Sequence, residues 1–324
     1  MPPLMFLCPV CKKEIQEIDP KRLLCSGCGW ENMSTDTYDF LLQEPDCRLG
    51  PLEDIIDQHK ILSLFDPVKA QVVDWTHYHG VDISLEHLRL VSPYLSGAVI
   101  ADMGCGQVPL VNFLAGQGLK SYYAIDAIED LFCRAKKYIN VDFPVEFVRA
   151  DVSDCNLVEN SVDIVICSQV IEHVDHPRNV LKEIYRILKP GGVASISTPC
   201  SSIYFYPREF QNFFRGRASR RQWLKRVHCD EHWEEMLPGH PALRPSVLRR
   251  WMKETGLDVE QHVSRGCLLD MRPAVRFCQY LERQGLPGAS LLRKHIAFRE
   301  WLINTKIPVL RWAGFAQFAL GVKR

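Results

Sequence analysis

The chain is expected to fold as an α/β domain, a parallel sheet with helices on both faces, preceded by a small metal-stapled module. Three observations carry that expectation. Apolar strand-like runs alternate with helix-period segments from about residue 84 to 263. Two of those runs end in an acid, Asp102 and Asp126, and the first acid is followed by Gly104-Cys105-Gly106. Two Cys-x-x-Cys pairs stand near the amino terminus.

The amino-terminal pairs are Cys8-Pro-Val-Cys11 and Cys25-Ser-Gly-Cys28, with 13 residues between them. Each can wrap one edge of a tetrahedral ion. Four thiolates make a closed structural zinc site, with no open position for catalysis. Free or redox-active cysteines would be the reading of a single pair; two at this spacing favour zinc. Gly27 and Gly29 are expected to permit the tight turn at the second knuckle. Lys12 takes the equivalent place after the first, and its charge favours thiolates. The intervening segment has room for a short hairpin, with Ile15 and Trp30 as a minimal core. A unit this small needs such a staple. The expected division is residues 1–45 for this module and 46–324 for the larger domain.

In the larger domain a connector and helices end in Ser84–Val91, with Ser84 as cap and Leu85, Leu88 and Val91 as the apolar stripe. Gly97 releases the first strand. A helix is expected over Val108–Leu114, a strand over Ser121–Ile125, a helix over Glu129–Tyr138 and a strand over Val145–Arg149 leading to Asp151. The run Val162–Cys167 is apolar enough for burial on both faces. A helix through Val180, Leu181, Ile184 and Ile187 is stopped by Pro190-Gly191-Gly192, and Val193–Ser197 is the fifth strand.

Ligands of such sheets bind at the carboxyl ends of the strands, where Asp102, Asp126 and Asp151 fall. Glycines let backbone amides approach a ligand, and Asp126, 22 residues after Gly104, can hold both hydroxyls of a ribose. A nucleoside-containing cofactor follows. Asp102 selects among them. A carboxylate two residues before the first glycine opposes a pyrophosphate, and Pro109 stands where a dinucleotide fingerprint needs glycine. S-adenosylmethionine carries a sulfonium and an amino group, which an acid at the strand end can pair. The bland alternative is a strand–turn–helix with glycines for packing; two acid-ended strands at this separation weigh against it.

Composition narrows the remaining classes. The 324 residues are 47% apolar and carry 39 basic against 39 acidic groups, so no global charge draws the chain to nucleic acid or an anionic membrane. No signal-peptide pattern and no transmembrane-length apolar run is present, and the expected location is cytoplasmic. The 13 cysteines are an odd count, and Cys105 and Cys167 lie in apolar runs, as buried thiols of a reducing compartment do. Nothing in the chain sets an oligomeric state.

The motifs Asp102-Met-Gly-Cys-Gly106, Ala124-Ile-Asp126, Ala150-Asp151-Val-Ser-Asp154, Ser168-Gln-Val-Ile-Glu-His173 and Leu188-Lys-Pro-Gly-Gly192 resemble those of class I S-adenosylmethionine-dependent methyltransferases. They are most similar to the methyltransferase type 11 subgroup, over roughly residues 84–263. The amino-terminal segment is similar to zinc ribbons found ahead of some bacterial methyltransferases. The resemblance implies a Rossmann-like seven-stranded sheet whose last pair is antiparallel. Its last strands would be Gly256–Glu260 and Gln317–Val322, with a helical insertion over about 268–310 between them.

It also implies roles. Asp102 and the backbone of Gly104, Cys105 and Gly106 would hold the methionine end of the donor. Asp126, with Ala127 beside it, would take the ribose. Asp151 and the Val152 backbone would take the adenine, and Ser168 and Gln169 would face the donor methyl. Asp154 is assigned to a turn. The family usually carries a third glycine where this chain has Val108, which implies a roomier or shifted loop.

For a hydroxyl acceptor, His173 is the expected catalytic base, with a packing role weighing equally; His228, His232 and His240 follow it. The segment 204–228 interleaves Arg208, Arg215, Arg217, Arg220, Arg221, Lys225 and Arg226 with Tyr206, Phe210, Phe213, Phe214 and Trp223. It suits an anionic or aromatic substrate, but a solvated basic helix face neutralised by the following Asp230-Glu231 and Glu234-Glu235 is the favoured reading. Trp75, His77, Tyr78 and His79 read either as pocket lining or as packing of the amino-terminal helix. The expected activity is methyl transfer to oxygen or nitrogen of a small or medium-sized acceptor. RNA gripped by the ribbon and residues 208–226 is second. A binding module without turnover, motivated by Val108, is third.

Overall fold

The computed structural model describes residues 6–19, 22–32, 37–42, 83–137, 139–200, 243–265, 284 and 316–324. Trp75 to His79, the segment 204–228, His228, His232 and His240 lie outside the described residues, as does the insertion expected at 268–310 apart from residue 284.

The elements run as β1 (Gln16–Asp19), β2 (Arg22–Leu24), β3 (Tyr38–Asp39), α1 (Ile83–Val91), β4 (Val99–Met103), β5 (Ser121–Asp126), α2 (Glu129–Ala135), β6 (Val145–Arg149), β7 (Val162–Ser168), α3 (Pro177–Ile187), β8 (Leu188–Pro199), α4 (Pro245–Thr255), β9 (Leu257–Arg265) and β10 (Ala316–Lys323). β1 and β2 form the expected antiparallel hairpin. The others form one sheet in the order β3-β6-β5-β4-β7-β8-β10-β9. β10 runs antiparallel to both neighbours and the other pairings are parallel. Seven of these strands are the expected set. The eighth, β3, comes from the amino-terminal segment and adds to the β6 edge through Tyr38↔Val148 and Asp39↔Arg149.

Strand alternation divides the core into two layers. Ile100, Tyr122, Ala124, Ile164 and Ile166 face one side, under Leu90 and Val91 of α1, Phe132 of α2, and Val111 and Leu114 of the turn after the glycine loop. Ala101, Met103, Tyr123, Ile125 and Val165 face the other. There they meet Val180, Leu181 and Ile184 of α3, Leu248 and Met252 of α4, and Phe6, Ile15 and Leu23 of the amino-terminal module. The crossover from β6 to β7, residues 150–161, carries no helix. The amino-terminal module fills that face instead. Phe6 packs between Tyr38 and Phe40, at 4.8 and 4.9 Å, and meets Tyr123 edge-on at 6.1 Å. Leu7 N–H donates to Asn156 O at 2.6 Å.

Several local expectations are corrected. Helix α1 begins at Ile83, so Ser84 lies inside its first turn instead of capping it. Its buried face is Ser84, His87, Leu90 and Val91, while Leu85 is exposed. The helix is turned toward two serines of β8: His87 Nδ1 lies 2.8 Å from Ser195 Oγ and Nε2 lies 2.9 Å from Ser197 Oγ. After the glycine loop only a 3₁₀ turn forms, Val111–Leu114. Val108 is left-handed there, with φ 55°, so a right-handed helix cannot include it. At the second knuckle Gly29 alone is left-handed, with φ 77°. Gly27 instead leaves room for Lys13, whose Cδ would lie 2.7 Å from an added Cβ.

Candidate active site

Each of the three acids sits where its strand ends. Asp102 is next to last in β4 and 4% exposed. The Tyr122 hydroxyl, from the neighbouring strand and the same face, donates to its Oδ2. Burial raises the Asp102 carboxyl to about 7; the Tyr122 bond opposes the rise and the Asp126 charge adds to it. A carboxylate in that state gains from a cation brought against it, which fits the ammonium of the expected donor.

The glycine loop turns back over β5. The N–H groups of Gly104 and Cys105 share Ile125 O, at 2.8 and 3.0 Å. Gly106 N–H donates to Asp126 Oδ2 at 2.9 Å, and Ile128 N–H donates to Asp126 Oδ1 at 3.0 Å. Each Asp126 oxygen therefore accepts at least one amide, which fixes the carboxylate plane. Gly104 has φ 72°, and a Cβ there would lie 2.3 Å from Val170 Cγ2, so the loop requires glycine on both counts. Val108 N–H closes the loop on Cys105 O at 2.9 Å. The loop closes around a left-handed valine that is itself buried.

Asp151 accepts Ser153 N–H and Ser153 Oγ–H on one oxygen, Oδ1, at 2.7 and 2.8 Å. Val152 beside it is buried. Asp154 N–H closes the expected turn on Asp151 O at 3.0 Å. Ala127, after Asp126, accepts Arg149 Nε–H at 3.2 Å.

At the end of β7 the chain bends through Gln169, left-handed with φ 55°. The Gln169 side chain joins Ser197 Oγ at 3.1 Å, Thr198 N–H at 3.2 Å and Glu172 Oε1 at 3.3 Å. Ser168 Oγ lies 3.5 Å from Ser197 Oγ. Ser197 in turn meets His87, so a buried polar chain runs from α1 to the rim. Burial takes the His87 imidazole down to about 3, and it is neutral at physiological pH.

His173 lies one third exposed, its Nε2 3.9 Å from Glu172 Oε1. Glu172 was overlooked in the sequence in favour of its neighbour. It is 1% exposed, burial pushes its carboxyl up to about 8, and its Oε2 has no hydrogen-bond partner among the described residues. Tyr122 was also missed. It sits two residues before Ala124, the register partner of Asp102, so period-two alternation puts its ring on the Asp102 face.

The four amino-terminal sulfurs of Cys8, Cys11, Cys25 and Cys28 lie within 4.8 Å of one another. Cys8 and Cys28 stand 3.5 Å apart, and Cys11 and Cys25 3.4 Å. Sulfurs bound tetrahedrally at about 2.3 Å from zinc are about 3.8 Å apart, so the cluster is compatible with that ion. Both knuckles repeat one pattern. Lys12 N–H donates to Cys8 O and Gly29 N–H to Cys25 O, each at 2.9 Å, and Lys12 shares the left-handed conformation of Gly29. Burial opposes ionisation of Cys25, but the amides of Cys28 and Gly27 and the thiols of Cys11 and Cys28 bonded to its sulfur together lower it. The Lys12 ammonium does not serve the thiolates as expected: it pairs with Asp154 and bonds Asn156 Oδ1 at 2.9 Å.

Residues 101–196 match the model of a family described as a methyltransferase domain. The ubiquinone biosynthesis O-methyltransferase of Rickettsia canadensis (strain McKiel) is 26% identical over 216 residues, 62% of this chain and 84% of the relative. That of Photorhabdus laumondii subsp. laumondii is 26% identical over 187 residues, 56% of this chain and 70% of the relative. Among solved structures, the cyclase SpnF superposes with a TM-score of 0.54 at 13% identity, covering 86% of this chain and 96% of its own. That last likeness concerns the fold.

Proposed function

We propose, from the premise that this chain carries a class I S-adenosylmethionine-dependent methyltransferase domain, that it methylates a hydroxyl oxygen of a small or medium-sized acceptor. The observation that carries the donor half is the set of acids at three neighbouring strand ends, Asp102, Asp126 and Asp151, with Asp102 buried and short of a cation. The relatives' names, both O-methyltransferases, support oxygen over nitrogen.

S-adenosylmethionine, when bound, supplies a methyl group already activated by its sulfonium. Asp102 pairs with the amino group, held in place by the Tyr122 hydroxyl. Asp126, oriented by the amides of Gly106 and Ile128, accepts the ribose hydroxyls. Asp151 and the Val152 backbone take the adenine edge, and Gln169, locked by Ser197 and Glu172, sets the wall next to the transferred methyl. Positioning of the acceptor in line supplies much of the rate. His173 accepts the hydroxyl proton. Its Nδ1 is shut away from solvent, which leaves Nε2 to take it. The ribbon holds zinc through Cys8, Cys11, Cys25 and Cys28 and takes no part in chemistry, because four thiolates fill the coordination sphere. The unpaired thiols of Cys105, Cys155 and Cys167 suit a cytoplasmic location.

The test has two arms. Calorimetry with S-adenosylhomocysteine reads donor binding, and incubation with methyl-labelled donor plus a metabolite extract reads transfer. A base-stable, ether-like label in the small-molecule fraction is the expected product. Label confined to RNA, or binding without any transfer, would replace this acceptor assignment.

A further inference from the structure

We propose that the four-cysteine module braces the adenosine half of the donor site, with Lys12 and Asp39 as its positioning residues. The inference rests on the donor reading above and goes beyond it. Its starting point is the gap left by the crossover 150–161, which carries no helix although it joins two parallel strands and holds Asp151.

Two arms reach from the module to the two acids assigned to adenosine. The first leaves the Cys8–Cys11 knuckle. Lys12 is held left-handed by its own N–H bond to Cys8 O, which aims its side chain away from the sulfurs. The ammonium grips Asp154 and Asn156 Oδ1, while Leu7 N–H holds Asn156 O. Asp154 is the residue whose N–H closes the turn on Asp151. The far end of the crossover is tied separately, Cys155 N–H to Glu183 Oε1 at 2.9 Å and Leu157 O to Arg186 at 2.6 Å. The near end, next to Asp151, is tied by Ala150 N–H to Asp126 O at 3.1 Å, by Leu7 N–H to Asn156 O and by Lys12.

The second arm leaves the Cys25–Cys28 knuckle. Trp30 stacks on Phe40 at 5.6 Å, and Asn32 Nδ2–H donates to Asp39 O at 3.1 Å. The Asp39 carboxylate pairs with Arg149 at 3.1 Å, and Arg149 Nε–H donates to Ala127 O, one residue past Asp126. Metal occupancy of the knuckles thereby sets the placement of both loops, and loss of the ion is transmitted to the donor.

The experiment titrates the full, metal-loaded chain with S-adenosylhomocysteine by calorimetry, with zinc content measured on every sample. Lys12→Met keeps the stem and the backbone conformation but removes the charge. Because the pair with Asp154 is about half exposed, the expected weakening is moderate, about threefold to fivefold in Kd at full zinc content. Lys12→Arg, which restores the charge and the donors, recovers most of it. A role in folding alone would not show that rescue at constant melting temperature. Release of zinc with a chelator weakens binding at least about tenfold, as expected where the ion organises the fold around it. Equal Kd for wild type and Lys12→Met, or a Kd indifferent to zinc release, overturns the brace and leaves the donor reading standing. A wild-type chain that does not bind S-adenosylhomocysteine overturns both.

Discussion

Donor affinity should rise steeply with pH across the neutral range, because Asp102 must ionise to pair with the donor's ammonium. In the free site burial holds this carboxyl at about 7, with Tyr122 and Asp126 as its immediate polar neighbours and Cys105 and Cys167 nearby. The ionised fraction is then about 3% at pH 5.5 and about 75% at pH 7.5, so Kd for S-adenosylhomocysteine should tighten by about 25-fold, or about 2 kcal/mol. The sign follows from the linkage. Bound cation depresses the Asp102 pKa, so binding releases a proton below pH 7 and is weakened as pH falls through that value. Calorimetry in buffers of different ionisation enthalpy counts the released proton directly. Asp102→Asn should bind weakly with a flat profile. Tyr122→Phe removes a bond that lowers the pKa, and should move the midpoint to higher pH. A wild-type Kd constant within about twofold between pH 5.5 and 7.5, or an unchanged slope in Asp102→Asn, would falsify the assignment of Asp102 to the ammonium.

Four further outcomes follow from the same geometry. At Val108 the left-handed backbone should invert the usual order of cavity mutants: Val108→Gly is less destabilising than Val108→Ala by about 1 kcal/mol in urea unfolding, and the ordinary order would show that the strain is absent. Gly104→Ala should cost about 2 kcal/mol or more, with Val170→Ala recovering only the clash and not the backbone part; full recovery would count against the φ argument. Glu172 has a folded-state pKa of about 8 against an ordinary 4.5, so the folded state holds the extra proton and wild-type stability falls as pH rises between them. The melting temperature of Glu172→Gln minus that of wild type should therefore grow from pH 5 to pH 8. His173→Ala should lower kcat by about 100-fold while leaving the Kd for S-adenosylhomocysteine unchanged, and a parallel loss of donor binding would assign His173 to packing.

The strands were legible because their signal is local. Val162–Cys167 is apolar at nearly every position, as a strand covered on both faces must be, and it stands as β7 in the middle of the sheet. Cysteine spacing was legible for a similar reason, since two turns of fixed length present four sulfurs to one point whatever surrounds them. The face of α1 was not. Leu85 and Leu88 are as apolar as Leu90, and only the serines of β8, more than a hundred residues away, decide that His87 points inward.

The remaining corrections share that long reach. Val108 opens no helix because the chain just before it, tied to Ile125 and Asp126 of the next strand, holds the loop in a shape its own residue type disfavours. Lys12 pairs with Asp154 rather than serving the thiolates because the module docks on the helix-free crossover. Glu172 could be read as a motif letter, but its unpaired oxygen and raised pKa exist only where Gln169, Thr198 and the core close around it.

By itself the sequence determined the five parallel strands between Val99 and Ser197, the acids at their ends and the four-sulfur cluster, all products of short-range periodicity and spacing. Only the tertiary structure decided which helix face is buried, where the amino-terminal module sits and what charge state the site carboxyls hold. Those depend on dielectric surroundings and on hydrogen-bond partners contributed by distant segments, which no local pattern encodes.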